Sequence, residues 1–166
     1  MVDSVLSSWR GASDKDRLLK VVQPGLISLI DGTVSTLAPI FAAAYVAGSR
    51  AALLVGIAAA LGAAISMGIS EGLSDDGTLT GRGDSLTRGA ITGIATFVGG
   101  SLHALPFLIN DVGTALAVAY PVVGCELVAI AWIRRRFQRV PLAQSLVQVT
   151  LAGAMVAAVG VAVGQA

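Results

Sequence analysis

The sequence predicts an all-α integral membrane protein with five transmembrane helices, and three observations carry that reading. Of its 166 residues, 55% are hydrophobic and only 13% are charged, against about 25% charged in an ordinary soluble domain. The mean hydropathy of +0.81 is too high for a water-exposed surface and excludes both a soluble bundle and a disordered chain. The apolar residues fall into five stretches of roughly 20, the length that crosses a hydrocarbon core of about 30 Å as a helix. They lack the period-two alternation of barrel strands.

Taken in order, residues 1–23 read as a cytoplasmic or interfacial amphipathic segment. Arg10, Asp14, Lys15, Asp16, Arg17 and Lys20 alternate there with Leu6, Trp9, Leu18, Leu19, Val21 and Val22, as in a helix lying on a membrane surface. The segment has no signal-peptide core and is expected to remain in the mature protein. Residues 24–166 form the membrane domain. Its first span, 25–48, carries Asp31; the second, 51–72, carries Met67 and Glu71. The third, 89–109, carries His103 and Pro106; the fourth, 112–133, carries Pro121, Cys125 and Glu126; the fifth, 142–163, has no ionisable residue. Asn110-Asp111 joins the third and fourth as a tight hairpin, and the Gly-, Asp- and Thr-rich stretch from Leu73 to Arg88 is a loop. Three small-xxx-small patterns, Gly68/Gly72, Gly89/Gly93 and Gly160/Gly164, predict close helix packing.

With the N-terminus in the cytoplasm, ten of the eleven basic residues lie on that side and only Arg50 lies opposite. This positive-inside asymmetry puts the C-terminus outside. The net charge of +1 points to no nucleic-acid partner, and membrane lipid is the surrounding medium. A single cysteine, Cys125, excludes an internal disulfide and a cysteine zinc cluster. No nucleophile–base pair or cofactor motif suggests an enzyme.

Carboxylates inside a span cost about 2.5–3.5 kcal/mol or more and face a bundle interior, a wet cavity or an ion. Counted from the span ends at about 1.5 Å per residue, Asp31, Met67 and Glu126 each lie roughly 10–12 Å in, with Glu71 one turn shallower. They are expected to share one layer, a cation site on the cytoplasmic side, with Thr33, Ser66 and Ser70 as further oxygen donors. Carboxylates with a thioether suit labile Fe²⁺ or Mn²⁺, and the same carboxylates can take up protons when the metal leaves. Glu126 is auxiliary in this set, His103 a further candidate on the exit side, and Asp75 and Asp76 an entrance. Each has a plainer alternative. Met67 and Cys125 are packing residues, Glu71 is solvated at the interface, and Glu126 pairs with an arginine of the following turn. His103 is a proton relay or a packing residue, Asp75 and Asp76 are solvated loop residues, and Pro121 is a kink.

Two segments carry a family resemblance. Ile30-Asp31-Gly32-Thr33-Val34-Ser35-Thr36 and Ile65-Ser66-Met67-Gly68-Ile69-Ser70-Glu71-Gly72-Leu73-Ser74 resemble the first-helix DG and second-helix SM-x-x-G-E segments of the vacuolar iron transporter family. The third span, Phe97 to Phe107, is similar to that family's Gly-rich, Pro-ended third helix, and the likeness runs over residues 24–166. The resemblance implies a parallel homodimer that exports Fe²⁺ or Mn²⁺ from the cytoplasm in exchange for protons. Asp31 and Met67 would lie on its metal path with Glu71 beside them, and no permanently bound cofactor is implied. Here the short Leu73–Arg88 loop replaces the Glu- and Met-rich domain of plant and yeast members, and Gly72 replaces an aromatic residue. The loop is closer to the bacterial branch fused to a rubrerythrin-like domain. The location expected is therefore a bacterial inner membrane, with metal delivered by a separate ferritin-like protein or from the cytosol. The rival expectations are a non-transporting anchor for such a ferritin-like partner, and a transporter of another cation or a small organic solute.

Overall fold

A computed structural model describes residues 14–78 and 80–166, so the part of the expected surface segment within 1–13 lies outside the described residues. The described chain is all-helical. Helix α1 (Asp14–Arg17) passes through a π-helical turn, Leu18–Val22, directly into α2 (Gln23–Ser74). There follow α3 (Ser85–Leu102), a 3-10 turn at Leu105–Leu108, α4 (Val112–Gln138) and α5 (Leu142–Gln165). Three helical stretches, Leu18–Ser74, Val112–Gln138 and Leu142–Gln165, are long and apolar enough to cross a membrane.

The 52 residues of α2 are not one rod. Gly48 leaves the helical region with φ 80° and ψ −173°, a conformation open to glycine and costly for a residue with a Cβ. Ile40 packs where a side chain on Gly56 would point, and Thr36 and Ala60 both close on Gly100. These partners are symmetric about Gly48, so the two arms of α2 fold back on each other as an antiparallel hairpin.

Helix α3 lies between the two arms. Gly99 meets Leu29 and Thr33 of the first arm; Gly89 and Gly93 meet Gly68 and Ala64 of the second. The three small-xxx-small patterns all sit at such contacts, the third with Gly160 on Ala38 and Gly164 on Ala42 and Tyr45. Without side chains the backbones approach within van der Waals distance, which is how apolar helices gain packing energy where no hydrophobic drive separates them from lipid. Gly32 is the tightest case, since a Cβ there would collide with the Thr96 carbonyl. Gly32→Ala is expected to force α2 and α3 apart and cost about 1–3 kcal/mol, read as a lower Tm in detergent. Gly62→Ala, where nothing lies in the way, is the control and should leave Tm unchanged or raise it.

The third expected span ends early. Helix α3 stops at Leu102 rather than continuing to Ile109, because Pro106 has no N–H to give the Leu102 carbonyl and its ring crowds that carbonyl. The chain instead turns through His103 and Ala104 into the Leu105–Leu108 turn. Asp111 then caps α4 by accepting from the Thr114 N–H, as Asp84 caps α3 by accepting from the Thr87 N–H.

Two apolar clusters hold the bundle. One joins Leu37, Ile40, Phe41 and Ala44 with Ala52, Phe107, Ala115 and Ala119; the other joins Leu26 with Leu127, Ile130 and Val149. Outward, large apolar side chains such as Leu54, Ile65, Ile94, Leu151 and Met155 are exposed, as a lipid-facing surface requires. The antiparallel course gathers Arg17, Lys20, Arg82, Arg88 and the Arg134–Arg139 turn at one end of the bundle. Lys20 lies against Gly83 there, and Arg17 and Arg139 line one cavity. The opposite end holds Gly48, Arg50 and the Tyr45–Tyr120 hydroxyl pair at 3.2 Å.

Candidate functional site

The polar residues inside the bundle fall into three groups at different depths along α3. The first is at its N-terminal end. Arg88, one turn into α3, is 1% exposed. Its guanidinium gives Nε–H to Glu71 Oε1 at 2.9 Å, Nη1 to the Gly83 carbonyl at 2.7 Å and Nη2 to the Asp75 carbonyl at 2.8 Å. Arg82, on the loop, gives Nη2 to the same Glu71 oxygen at 2.8 Å and reaches Asp75 Oδ2 at 3.4 Å. Two acids and two arginines thus form a neutral quartet that ties the 75–84 loop to the ends of α2 and α3.

The loop carboxylates expected as an entrance are also engaged. Asp75 accepts from the Thr80 hydroxyl and the Gly77 N–H. The Thr80 hydroxyl above all, then the Gly77 N–H, Arg88 and Arg82, hold its carboxyl below the usual carboxylate range. Asp76 accepts from the N–H and the hydroxyl of Thr78, which lower it in the same way. Both act as staples of the loop.

The second group lies deepest. His103 and Glu126 are buried, with His103 Nδ1 2.9 Å from Glu126 Oε2 and Nε2 2.9 Å from the Thr36 hydroxyl. Thr36 in turn donates to the Gly32 carbonyl at 2.8 Å. The imidazole thus bridges the first arm of α2 and α4, with one ring nitrogen on each. Glu126 Oε1 is buried with no hydrogen-bond partner among the described residues, and the side chain borders an apolar groove formed by Leu102, Val118, Pro121, Val122 and Cys125.

The third group comprises Asp31 and Met67. Asp31 is half-buried on the first arm of α2, next to Gly32 and its contact with Thr96. It has no hydrogen-bond or ion-pair partner among the described residues. Met67 is half-buried on the second arm, beside the Gly68 contact with Gly89 and Gly93.

The expected single layer therefore splits. Glu71 sits at the level of Arg88; Asp31 lies near Thr96, about 12 Å further along α3; Glu126 lies at His103, about 10 Å beyond that. Met67 falls between Glu71 and Asp31. Among the described residues no three His, Cys, Asp or Glu side chains converge on a metal position. The structure brings Glu71 to Asp75, and Glu126 to His103, and leaves Asp31 separate from both. Neither Ser66 nor Ser70, both exposed, joins a cluster.

Sequence reading did not anticipate Arg88 as the hub of the quartet. The signal was present, since an arginine opening one apolar helix after a glutamate closing the one before is set face to face by an antiparallel hairpin. Nor did it pair His103 with Glu126, which come from the end of α3 and the middle of α4.

No family model, curated protein or solved structure matches this chain.

Proposed function

We propose that the protein is a membrane transporter that moves a divalent transition metal, Fe²⁺ or Mn²⁺, from the cytoplasm across the membrane in exchange for protons. In this reading the bundle spans the bilayer five times, with the arginine-rich end cytoplasmic, and works as a homodimer. The observation that carries it is Asp31, an unpaired carboxylate within an apolar helical arm. A carboxylate placed so is costly unless a cation or a proton joins it. Met67 lies on the facing arm of the same hairpin towards the basic end, and a thioether adds preference for a softer transition metal over Ca²⁺ or Mg²⁺. The resemblance of the Asp31-Gly32 and Ser66-Met67 segments to vacuolar iron transporters supports the same assignment.

The ion-paired state of Glu71 modifies the ligand set. For Glu71 to hold metal, Arg82 and Arg88 would have to release it, so in the closed quartet Asp31 and Met67 are the ligands this reading retains. His103 and Glu126 lie deeper, where protons rather than metal are proposed to reside.

The test is flux in proteoliposomes that enclose a metal-sensitive dye. Wild-type protein is expected to pass Fe²⁺ and Mn²⁺ and to respond to an imposed pH gradient. Asp31→Ala should reduce flux at least about tenfold, the order expected when an in-membrane charge partner is lost. Met67→Leu should weaken transition-metal flux selectively. Undiminished flux in Asp31→Ala would overturn the site, and no flux from folded wild type would favour a non-transporting role.

A further inference from the structure

We propose that the basic end of the bundle carries a built site for one anionic phospholipid, with the phosphate held by Arg136 and Arg139 at the end of α4 and an acyl chain in an adjoining groove. The site is distinct from the proposed cation path and does not depend on which species is transported.

The headgroup position is a cavity of about 740 Å³ between the start of the first helix and the end of α4. Arg17, Leu18 and Gln23 line one wall; Arg136, Phe137 and Arg139 line the other. Arg136 and Arg139 therefore border one space, with the start of the first helix as its facing wall. Arg139 reaches it because the chain leaves α4 there in the left-handed region, with φ 58°, unusual for a residue with a Cβ. Arg136 and Arg139 both line the cavity at this turn. Guanidinium groups match phosphate oxygens in planar, paired hydrogen bonds. A basic pocket between helices at the membrane surface is the geometry that binds anionic headgroups.

The acyl position is a groove of about 400 Å³ that shares Phe137 with the cavity. It runs from Phe137 along Val22, Leu26, Leu29, Ile91, Val98 and Ile133, with almost no polar atom in its walls. The Arg136 guanidinium stands 5.4 Å from the centre of the Phe137 ring, so the junction has a charged side and an apolar side. A free anion would use only the first; a soluble apolar ligand would use only the second. A phospholipid with an anionic headgroup uses both, and the order of the two spaces from the bundle end inward is that of headgroup and chain in a leaflet.

Purified full-length protein in detergent is titrated with dioleoyl-phosphatidylglycerol, dioleoyl-phosphatidylcholine or inorganic phosphate, and retained ligand is counted by native mass spectrometry. Phosphatidylglycerol should bind at least about tenfold more tightly than phosphatidylcholine, and millimolar phosphate should not displace it. Arg136→Gln with Arg139→Gln should bring phosphatidylglycerol down to the level of phosphatidylcholine. Val98→Trp, which fills the groove, should weaken both lipids while keeping the headgroup preference. Arg50→Gln at the opposite end should change nothing. Equal retention of the two lipids by wild type, or a preference that survives the double arginine change, would overturn the proposal. Displacement by phosphate would reduce the site to a simple anion pocket and overturn the lipid assignment.

Discussion

Arg88→Ala should be among the most damaging single substitutions in this protein, with a loss of about 3 kcal/mol in stability. Breaking a fully buried ion pair by removing one partner costs about 3–5 kcal/mol. The lower end applies because Glu71 and Asp75 keep 19% and 23% exposure and Arg82 still faces both. The charge is only part of the loss. Arg88 also satisfies the carbonyls of Gly83 and Asp75, so its removal releases both ends of the loop. Arg88→Lys keeps the charge without the planar fork and should recover less than half of the lost stability. Tm in detergent reads the global effect. Hydrogen exchange over residues 75–84 reads the local one, and should rise in Arg88→Ala beyond any rise in Arg82→Ala. A tolerated Arg88→Ala, with Tm within a degree or two of wild type, would show that the quartet is not what closes this end.

His103→Leu should be comparably costly, about 3–5 kcal/mol, for a related reason. Glu126 Oε2 has His103 as its partner and Oε1 has none among the described residues. Without the imidazole the carboxylate would be buried with nothing to offset its desolvation. Glu126→Leu alone should cost less, since the imidazole keeps its hydrogen bond with the Thr36 hydroxyl. The double variant His103→Leu/Glu126→Leu should regain most of the stability, because replacing a buried pair by apolar side chains of similar volume is often neutral or better. A double-mutant cycle on Tm measures that coupling directly. If the pair serves proton movement, the double variant folds as well as wild type while metal flux no longer follows a pH gradient. A double variant that folds and retains pH-driven flux would leave the pair a packing feature only.

Much of the fold was legible along the chain. The apolar lengths, the hairpin at Gly48 and the small-residue seams are local or nearly local features, set by span length, glycine conformation and the absence of side chains; the expected tight turn at Asn110-Asp111 is instead a longer link through the Leu105–Leu108 turn. The gathering of basic residues at one end needed only the count of helical stretches between them. The end of α3 at Leu102 follows from Pro106, which was visible in the sequence, though its effect on that helix was not drawn from it.

The depth of the candidate site was not legible in the same way. Depths counted from the ends of apolar stretches take those ends as helix ends. Yet α4 runs on through Arg134 to Gln138, so Glu126 stands about 18 Å from the helix end rather than about 12 Å. The first helical arm likewise begins before Pro24, continuous from Asp14. Small offsets of this kind moved Glu126 out of the expected layer and towards His103. Glu71 lies near the end of its helix, and its partners come from a loop and from the next helix.

The sequence by itself determined that this is an all-helical chain with helices long and apolar enough for a membrane, sparing in charge, and with one strongly basic end. Those properties depend on composition and on the 3.6-residue period, which act within a few turns. Only the tertiary structure decided which charges meet. That choice depends on the axial offset and rotation of one helix against another, set by where Gly32, Gly68, Gly89 and Gly99 allow the backbones to touch. It left Glu71 with two arginines, Glu126 with His103, and Asp31 without a partner among the described residues.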